Sequence, residues 1–246
     1  MEGRVDESHC PGTERAKPLD EETQYKEKGK CICKISRGLM GTGFFSKIDY
    51  EGKTIPVLIT NYHVIDDDFI NKNKKLTFYI NGDLHEIDIN KENVIYSSTD
   101  KKYDIMIIKL KGYDEYNFLE IDKNIFKDGS LEKYEKQGIY ILHYPGYEEK
   151  AQISFGEGIK KIGEDNDDIM HKCHTESGSS GSPILCAATN KVIGIHRGEF
   201  KRKDYNYGTF LKFPLNELNE LMGKNKNKNM NKNENEIKVR KNYVII

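Results

Sequence analysis

Apolar and polar positions alternate in short runs along most of the chain, with turn residues at close intervals between them. Residues 31–35 alternate in strand fashion, and Gly41-Thr42-Gly43-Phe44-Phe45 opens a second strand after a glycine turn. Tyr50-Glu51-Gly52-Lys53 predicts a hairpin and residues 55–60 a short apolar strand. Residues 76–80 and 84–89 flank Asn81-Gly82-Asp83, a strong hairpin signal. Residues 104–110 are apolar enough for a strand buried on both faces. The pattern then breaks: residues 111–137 are charged, without sustained periodicity, and read as a crossing between two β units. In the second unit, residues 138–143 form a strand stopped by Tyr144-Pro145-Gly146. Residues 151–162 suggest a hairpin around Gly156 and Gly158, and residues 169–175 a further strand. Residues 184–187 and 192–196 flank the turn at 189–191, and residues 207–213 make the last strand. After Pro214, Leu215, Leu218, Leu221 and Met222 fall at helical spacing, which predicts a closing helix over about 214–222. Short strands at regular spacing read as an all-β barrel or sandwich.

Composition sets the limits of this domain. Of 246 residues, 36% are hydrophobic, enough for a sizeable core in one large β domain or two small ones. Residues 1–28 are charged and poor in apolar groups and are expected to be disordered; residues 223–246 form a Lys/Asn-rich, low-complexity tail. The organised domain is therefore expected over 29–222: a first barrel over 29–115, the crossing over 111–137, a second barrel over 138–213, and the helix. With 39 basic and 40 acidic residues the charge is nearly balanced, which argues against a dedicated nucleic-acid binder. Cys10, Cys31, Cys33, Cys173 and Cys186 are odd in number and read as free thiols in a reducing compartment. Glu2, Asp6 and Glu14 interrupt the place of a signal peptide, and no run reaches membrane-spanning length. The expectation is a cytoplasmic protein with no membrane partner.

The chemistry centres on His174-Thr175-Glu176-Ser177-Gly178-Ser179-Ser180-Gly181-Ser182-Pro183. Two glycines around small hydroxyl residues make a tight turn with exposed backbone N–H groups, where a nucleophilic oxygen can attack a carbonyl while those groups hold the oxyanion. A serine nucleophile needs a histidine base and an acid to orient it. His63 ends an apolar strand and Asp104 begins another, both on the first unit, while Ser180 lies on the second; the reaction would then take place in the cleft between them. His171, Cys173 and His174 with Cys31 and Cys33 can be drawn as a zinc set, but their spacing is not that of a metal finger, and no metal is expected.

Three segments carry a resemblance. Thr60-Asn61-Tyr62-His63-Val64, Tyr103-Asp104-Ile105-Met106-Ile107 and Gly178-Ser179-Ser180-Gly181-Ser182-Pro183 are similar, in order and at strand ends, to the motifs of trypsin-like serine proteases. The resemblance covers about residues 30–222 and is nearest in motif to glutamyl endopeptidases and bacterial-type trypsin-like peptidases. It implies two six-stranded-type antiparallel β-barrels, an active site between them and a short C-terminal helix. It also implies Ser180 as nucleophile, His63 as base, Asp104 as its orienting acid, and the N–H groups of Gly178 and Ser180 as oxyanion hole. No cofactor is implied, and the partner is a protein or peptide substrate. Asp66, Asp67 and Asp68 are rival acids, too close to His63 in sequence to reach its far nitrogen easily.

The departures are informative. Secreted relatives pair a newly cut N-terminus with an aspartate before the serine; Ser179 stands there and has no charge to offer, so the oxyanion loop must be held some other way. The resemblance places His196 and Thr175 in the pocket for the residue preceding the cut. Imidazole N–H donors titrating near pH ~6.5 suit a carboxylate, hence a glutamate preference. Arg197, Lys201 and Arg202 just beyond read as a solvated loop. Two other classes stay open: a catalytically silent protease-fold interaction module, against which stands a complete triad, and a serine esterase or acyl transferase, since the same groups serve any acyl transfer.

Overall fold

The computed structural model describes residues 16–18, 25–37, 39–99, 101–111, 116–135, 137–146, 148–157, 160–161, 168–199 and 205–224. In chain order β1 (Lys17–Pro18), which joins the sheet of the second half, is followed by the strands of the first half, β2 (Ile32–Arg37), β3 (Leu39–Tyr50), β4 (Lys53–Thr60), β5 (Lys75–Ile80), β6 (Asp83–Asp88), β7 (Val94–Ser98) and β8 (Ile105–Lys109). Those of the second half are β9 (Ile139–His143), β10 (Gln152–Gly156), β11 (Lys160–Lys161), β12 (Asp168–His171), β13 (Pro183–Cys186), β14 (Lys191–Glu199) and β15 (Asn206–Phe210). They form two antiparallel sheets, each curled into a barrel-like half. One has seven strands in the order β6-β5-β2-β3-β4-β8-β7, the other eight in the order β1-β10-β9-β13-β14-β15-β12-β11. The expected all-β, two-barrel architecture is present, with strand counts above six.

Alternation explains the packing. Cys33, Ile35, Phe45, Leu58, Met106 and Ile108 fill the interior of the first barrel, while their neighbours Ile32, Phe44, Val57, Ile59, Ile105 and Ile107 join the core shared with the second. This two-sided burial is why β8 reads as an unbroken apolar run. The crossing segment runs between the halves and pairs with both: Ser46 bridges Leu119, and Ile121 bridges Val192. Its 3-10 turn, Lys123–Phe126, and its short helix α2, Ser130–Tyr134, have no periodic signature in the sequence.

The structure extends some expectations and corrects others. Helix α1, Asp67–Lys72, occupies the acidic run: Asp66 caps it by accepting from Phe69 N (2.7 Å), and Asp68 pairs with Lys72, so these carboxylates cap and brace a helix instead of competing with Asp104. Residues 151–162 are not a hairpin. β10 pairs with β9, whereas β11 pairs with β12 at the far edge, and a Cβ on Gly156 would lie 2.7 Å from Cys173 N, so this glycine lets the end of β10 lie close against the segment leaving β12. Disorder was expected throughout 1–28, yet Lys17–Pro18 pairs with β10, and a 3-10 turn, Lys26–Cys31, leads into β2; residues 1–15 and 19–24 lie outside the described residues. The last strand ends at Phe210, residues 212–224 are helical, and Leu215 and Leu218 are buried while Leu221 is exposed. Of the tail, residues 225–246 lie outside the described residues. Cys31, Cys33, Cys173 and Cys186 are free and buried. No helix among the described residues is long and apolar enough to cross a membrane.

Candidate active site

Strand pairing brings the first two site residues together. β4 and β8 are antiparallel with Thr60 opposite Met106, so the turn leaving β4 lies beside the turn entering β8. His63 and Asp104 occupy those turns: His63 Nδ1 is 2.6 Å from Asp104 Oδ2, and His63 N–H donates to Asp104 Oδ1 at 3.0 Å. Asp104 is 3% exposed and adopts φ 48°, an uncommon conformation for a non-glycine residue that recurs at functional sites. It is held there from both sides, its N–H donating to Thr99 O (2.9 Å) and its carbonyl accepting from Asn61 Nδ2 (2.8 Å). The imidazole remains partly open, with 37% side-chain exposure.

The serine turn lies between β12 and β13 and is turned inside out by its hydrogen bonds. Five consecutive carbonyls accept hydrogen bonds from within the turn or from the segments packed on it. Glu176 O accepts from Ser179 N, Ser177 O from Gly146 N, Gly178 O from Thr42 Oγ1, Ser179 O from Ser182, and Ser180 O from Thr42 N. The N–H groups of Gly178 and Ser180 have no acceptor among the described residues, the arrangement an oxyanion hole requires. Gly178 (φ +94°) and Gly181 (φ +88°) supply backbone angles that L side chains resist; a Cβ on Gly181 would stand 2.0 Å from Thr42 O, so this glycine is where the turn docks onto β3. Ser180 Oγ donates to the carbonyl of Arg197 at 3.2 Å, and no hydrogen bond joins it to His63.

Register places His196 beside this turn, since Pro183 pairs with Ile195, His196 N donates to Ser182 O, and His196 O accepts from Gly181 N. A chain of hydrogen bonds orders its imidazole. Cys173 N–H donates to His171 Nδ1 (3.3 Å), so His171 carries its proton on Nε2 and donates to His196 Nδ1 (3.0 Å), leaving the proton of His196 on Nε2. Burial holds His196 well below the ordinary imidazole range, aided by His171, His143 and His63, and burial lowers His171 to about 3. The expectation that His196 titrates near pH ~6.5 is thereby corrected: it is a neutral donor through Nε2. Thr175 is half-buried on the approach to the serine turn, and no hydrogen bond joins it to His196.

Arg197 corrects a second expectation. It is no part of a solvated loop: it lies on β14 at 8% exposure, donating to Asp168 Oδ1 (2.7 Å) and Lys102 O (3.0 Å), over the Tyr207 ring, with Nε 3.7 Å from Asp104 Oδ2. Lys201 and Arg202 lie outside the described residues. The roles of Asn61 and His171 are not marked by local pattern: Asn61 lies inside the histidine motif, and the i, i+2 spacing of His171 and Cys173 is a local hint only of a shared environment.

Two antiparallel barrels, with a histidine–carboxylate pair at the edge of one and a glycine-bracketed serine at the edge of the other, define the chymotrypsin fold of serine proteases. The chain belongs to the trypsin-like peptidase family, whose domain model matches residues 41–195. Solved structures agree in fold. The serine protease domain of the Sesbania mosaic virus polyprotein is similar at 19% identity and TM-score 0.51, over 74% of this chain and 88% of that one. The Rv3671c protease of M. tuberculosis H37Rv, in an inactive form, is similar at 18% identity and TM-score 0.56, over 86% and 97%. A Glu endopeptidase in complex with MPD is similar at 18% identity and TM-score 0.53, over 78% and 89%.

Proposed function

We propose that this chain is a serine endopeptidase acting through Ser180, His63 and Asp104, with a preference for an acidic residue, glutamate above all, before the cut. Ser180 Oγ turns from the Arg197 carbonyl toward His63 and attacks the peptide carbonyl carbon as its proton passes to His63 Nε2. The N–H groups of Gly178 and Ser180 hold the oxyanion. Collapse of the tetrahedral adduct expels the amine, which takes the proton from His63, and water then releases the acyl group by the same steps in reverse. Asp104 keeps the His63 proton on Nδ1 and supports the imidazolium.

The observation that carries the reading is the 2.6 Å contact between His63 Nδ1 and the buried Asp104 carboxylate, next to a turn in which the N–H groups of Gly178 and Ser180 have no acceptor among the described residues. The acidic preference rests on the Nε2–H of His196, a neutral donor suited to a carboxylate, together with Thr175 and the likeness to a Glu endopeptidase. No cofactor enters this chemistry. One observation favours a second reading, a silent protease-fold interaction module: the Ser180 hydroxyl is engaged by Arg197 O instead of His63. Incubating the protein and its Ser180→Ala form with a diverse peptide mixture, and mapping cuts by mass spectrometry, separates them. Cuts after Glu that vanish in the variant support the whole reading. Cuts after other residues keep the triad and remove the pocket assignment, and no cuts by either form favour the module.

A further inference from the structure

The aspartate that anchors the oxyanion loop of secreted relatives is absent, and Ser179 stands in its place, fully buried. Its Oγ accepts from Glu176 N–H (3.1 Å) and lies 2.8 Å from Nδ1 of His143, the last residue of β9. His143 is itself fully buried, and its Nε2 has no partner among the described residues. A buried polar ring with one nitrogen unsatisfied is costly in a β-barrel core, so the bond made by the other nitrogen has a use beyond packing. Two of the three residues after His143, Tyr144 and Gly146, grip the same loop. Tyr144 N–H donates to Thr42 Oγ1, which donates to Gly178 O; Gly146 N–H donates to Ser177 O at 2.6 Å; and a Cβ on Gly178 would meet Tyr144 O at 2.5 Å. The segment 143–146 thus braces residues 176–180 from one side, and the His143–Ser179 contact is its side-chain link.

We infer that His143 is a positioning residue for the oxyanion loop: by holding Ser179 Oγ it fixes the turn in which the N–H groups of Gly178 and Ser180 face the cleft. The link is neutral and internal, so the loop is set without a freed N-terminus. Burial, reinforced by His174 and His171, lowers His143 to about 3, which keeps the ring uncharged in any ordinary buffer. The inference rests on the endopeptidase reading for its catalytic consequence, but its structural content stands apart from it.

The test compares the full chain with Ser179→Ala, His143→Leu and His143→Asn, the last retaining a polar atom near the position of Nδ1. Two readouts are taken: kcat and KM on a glutamate-containing peptide, and hydrogen exchange of the segment 174–182 followed by mass spectrometry. The expected result is a kcat about 10- to 100-fold lower in Ser179→Ala and His143→Leu with KM within about twofold, as for loss of oxyanion stabilisation. Faster exchange in that segment accompanies it, and His143→Asn recovers both. Ser179→Ala, a small change, keeps the test valid if His143→Leu fails to fold. A Ser179→Ala enzyme with kcat within about twofold of wild type, or unaltered exchange of 174–182, overturns the inference. If the wild type cleaves nothing, the endopeptidase reading falls, and the exchange comparison alone decides whether His143 and Ser179 order the loop.

Discussion

Replacing Arg197 by methionine removes the buried cation of the site while keeping the length of its side chain. The charge-assisted bond to Asp168 is worth about 1.5–3 kcal/mol and the bond to the Lys102 carbonyl about 0.5–1.5 kcal/mol. The guanidinium over the Tyr207 ring adds about 0.5–1 kcal/mol. Breaking a fully buried pair costs about 3–5 kcal/mol, but the Asp168 side chain is 34% exposed against 7% for Arg197, so the lower end applies. The packing retained by methionine offsets part of the rest, and the net expectation is about 2–4 kcal/mol out of a total near 5–15 kcal/mol. The pH dependence has a definite sign. Burial raises the Asp168 carboxyl above its ordinary value and Arg197 pulls it partly back. Without Arg197 the folded carboxyl binds its proton at higher pH still, so the folded state holds more protons than the unfolded chain between that value and the unfolded ~3.9. Its cost is full at pH 7 and relieved as the pH falls through that window. Urea unfolding followed by circular dichroism, in a Ser180→Ala background to prevent self-cleavage, measures the difference at both ends. A loss below about 1 kcal/mol at neutral pH, or one that grows on acidification, would refute this account of Arg197.

Gly181→Ala combines a strained φ of +88° with a Cβ 2.0 Å from Thr42 O, and should cost about 1–2 kcal/mol for the backbone plus about 1–3 kcal/mol for the clash, measured by the same unfolding assay. Asn61→Ala leaves the buried Asp104 carbonyl without its donor; a loss of about 1–3 kcal/mol is expected, and a thermal midpoint within a degree of wild type would show that Asn61 is dispensable. His171→Leu removes the donor that sets the tautomer of His196. The kcat/KM for a glutamate peptide should fall roughly 10-fold or more relative to the matching glutamine peptide, and an unchanged ratio would detach the histidine chain from specificity.

The residues of the proposed triad were legible because each lies in a turn next to a strand, where its type suits the proposed chemistry and local pattern marks the turn. What escaped the sequence depends on partners far away in the chain. Arg197 follows an apolar run, so it reads as an exit to solvent; partners distant in sequence allow it to be buried, chief among them Asp168, 29 positions earlier and brought alongside by β12, β15 and β14. Helix α1 is too short to show a period, and its cap, Asp66 to Phe69, is hidden in a run of three aspartates. β7 is a five-residue strand that earns its place by pairing with β8, not by its own alternation. Gly156 shows the ambiguity of glycine, which marks a turn and a close backbone approach equally well; the choice is made by Cys173, which no local rule locates.

The physical logic of the site lies in where charge is permitted. Burial keeps His143, His171 and His196 neutral, so three of the histidines around the cleft act as oriented dipoles. Among the described residues, the Arg197 guanidinium lies between two carboxylates, Asp104 and Asp168. That cluster is one positive charge short of balance until a proton arrives on His63, which the proposed acyl transfer delivers as the serine attacks. In that proposal the oxyanion formed at the same moment meets two backbone N–H dipoles on a loop whose five consecutive carbonyls are already hydrogen-bonded, so neither new charge requires the surroundings to reorganise. The same distribution bears on specificity. The Arg197–Asp104–Asp168 cluster itself offers an acidic side chain no excess positive charge, so the proposed glutamate preference rests on the directed Nε2–H of His196 at close range and on the orientation that His171 imposes on it.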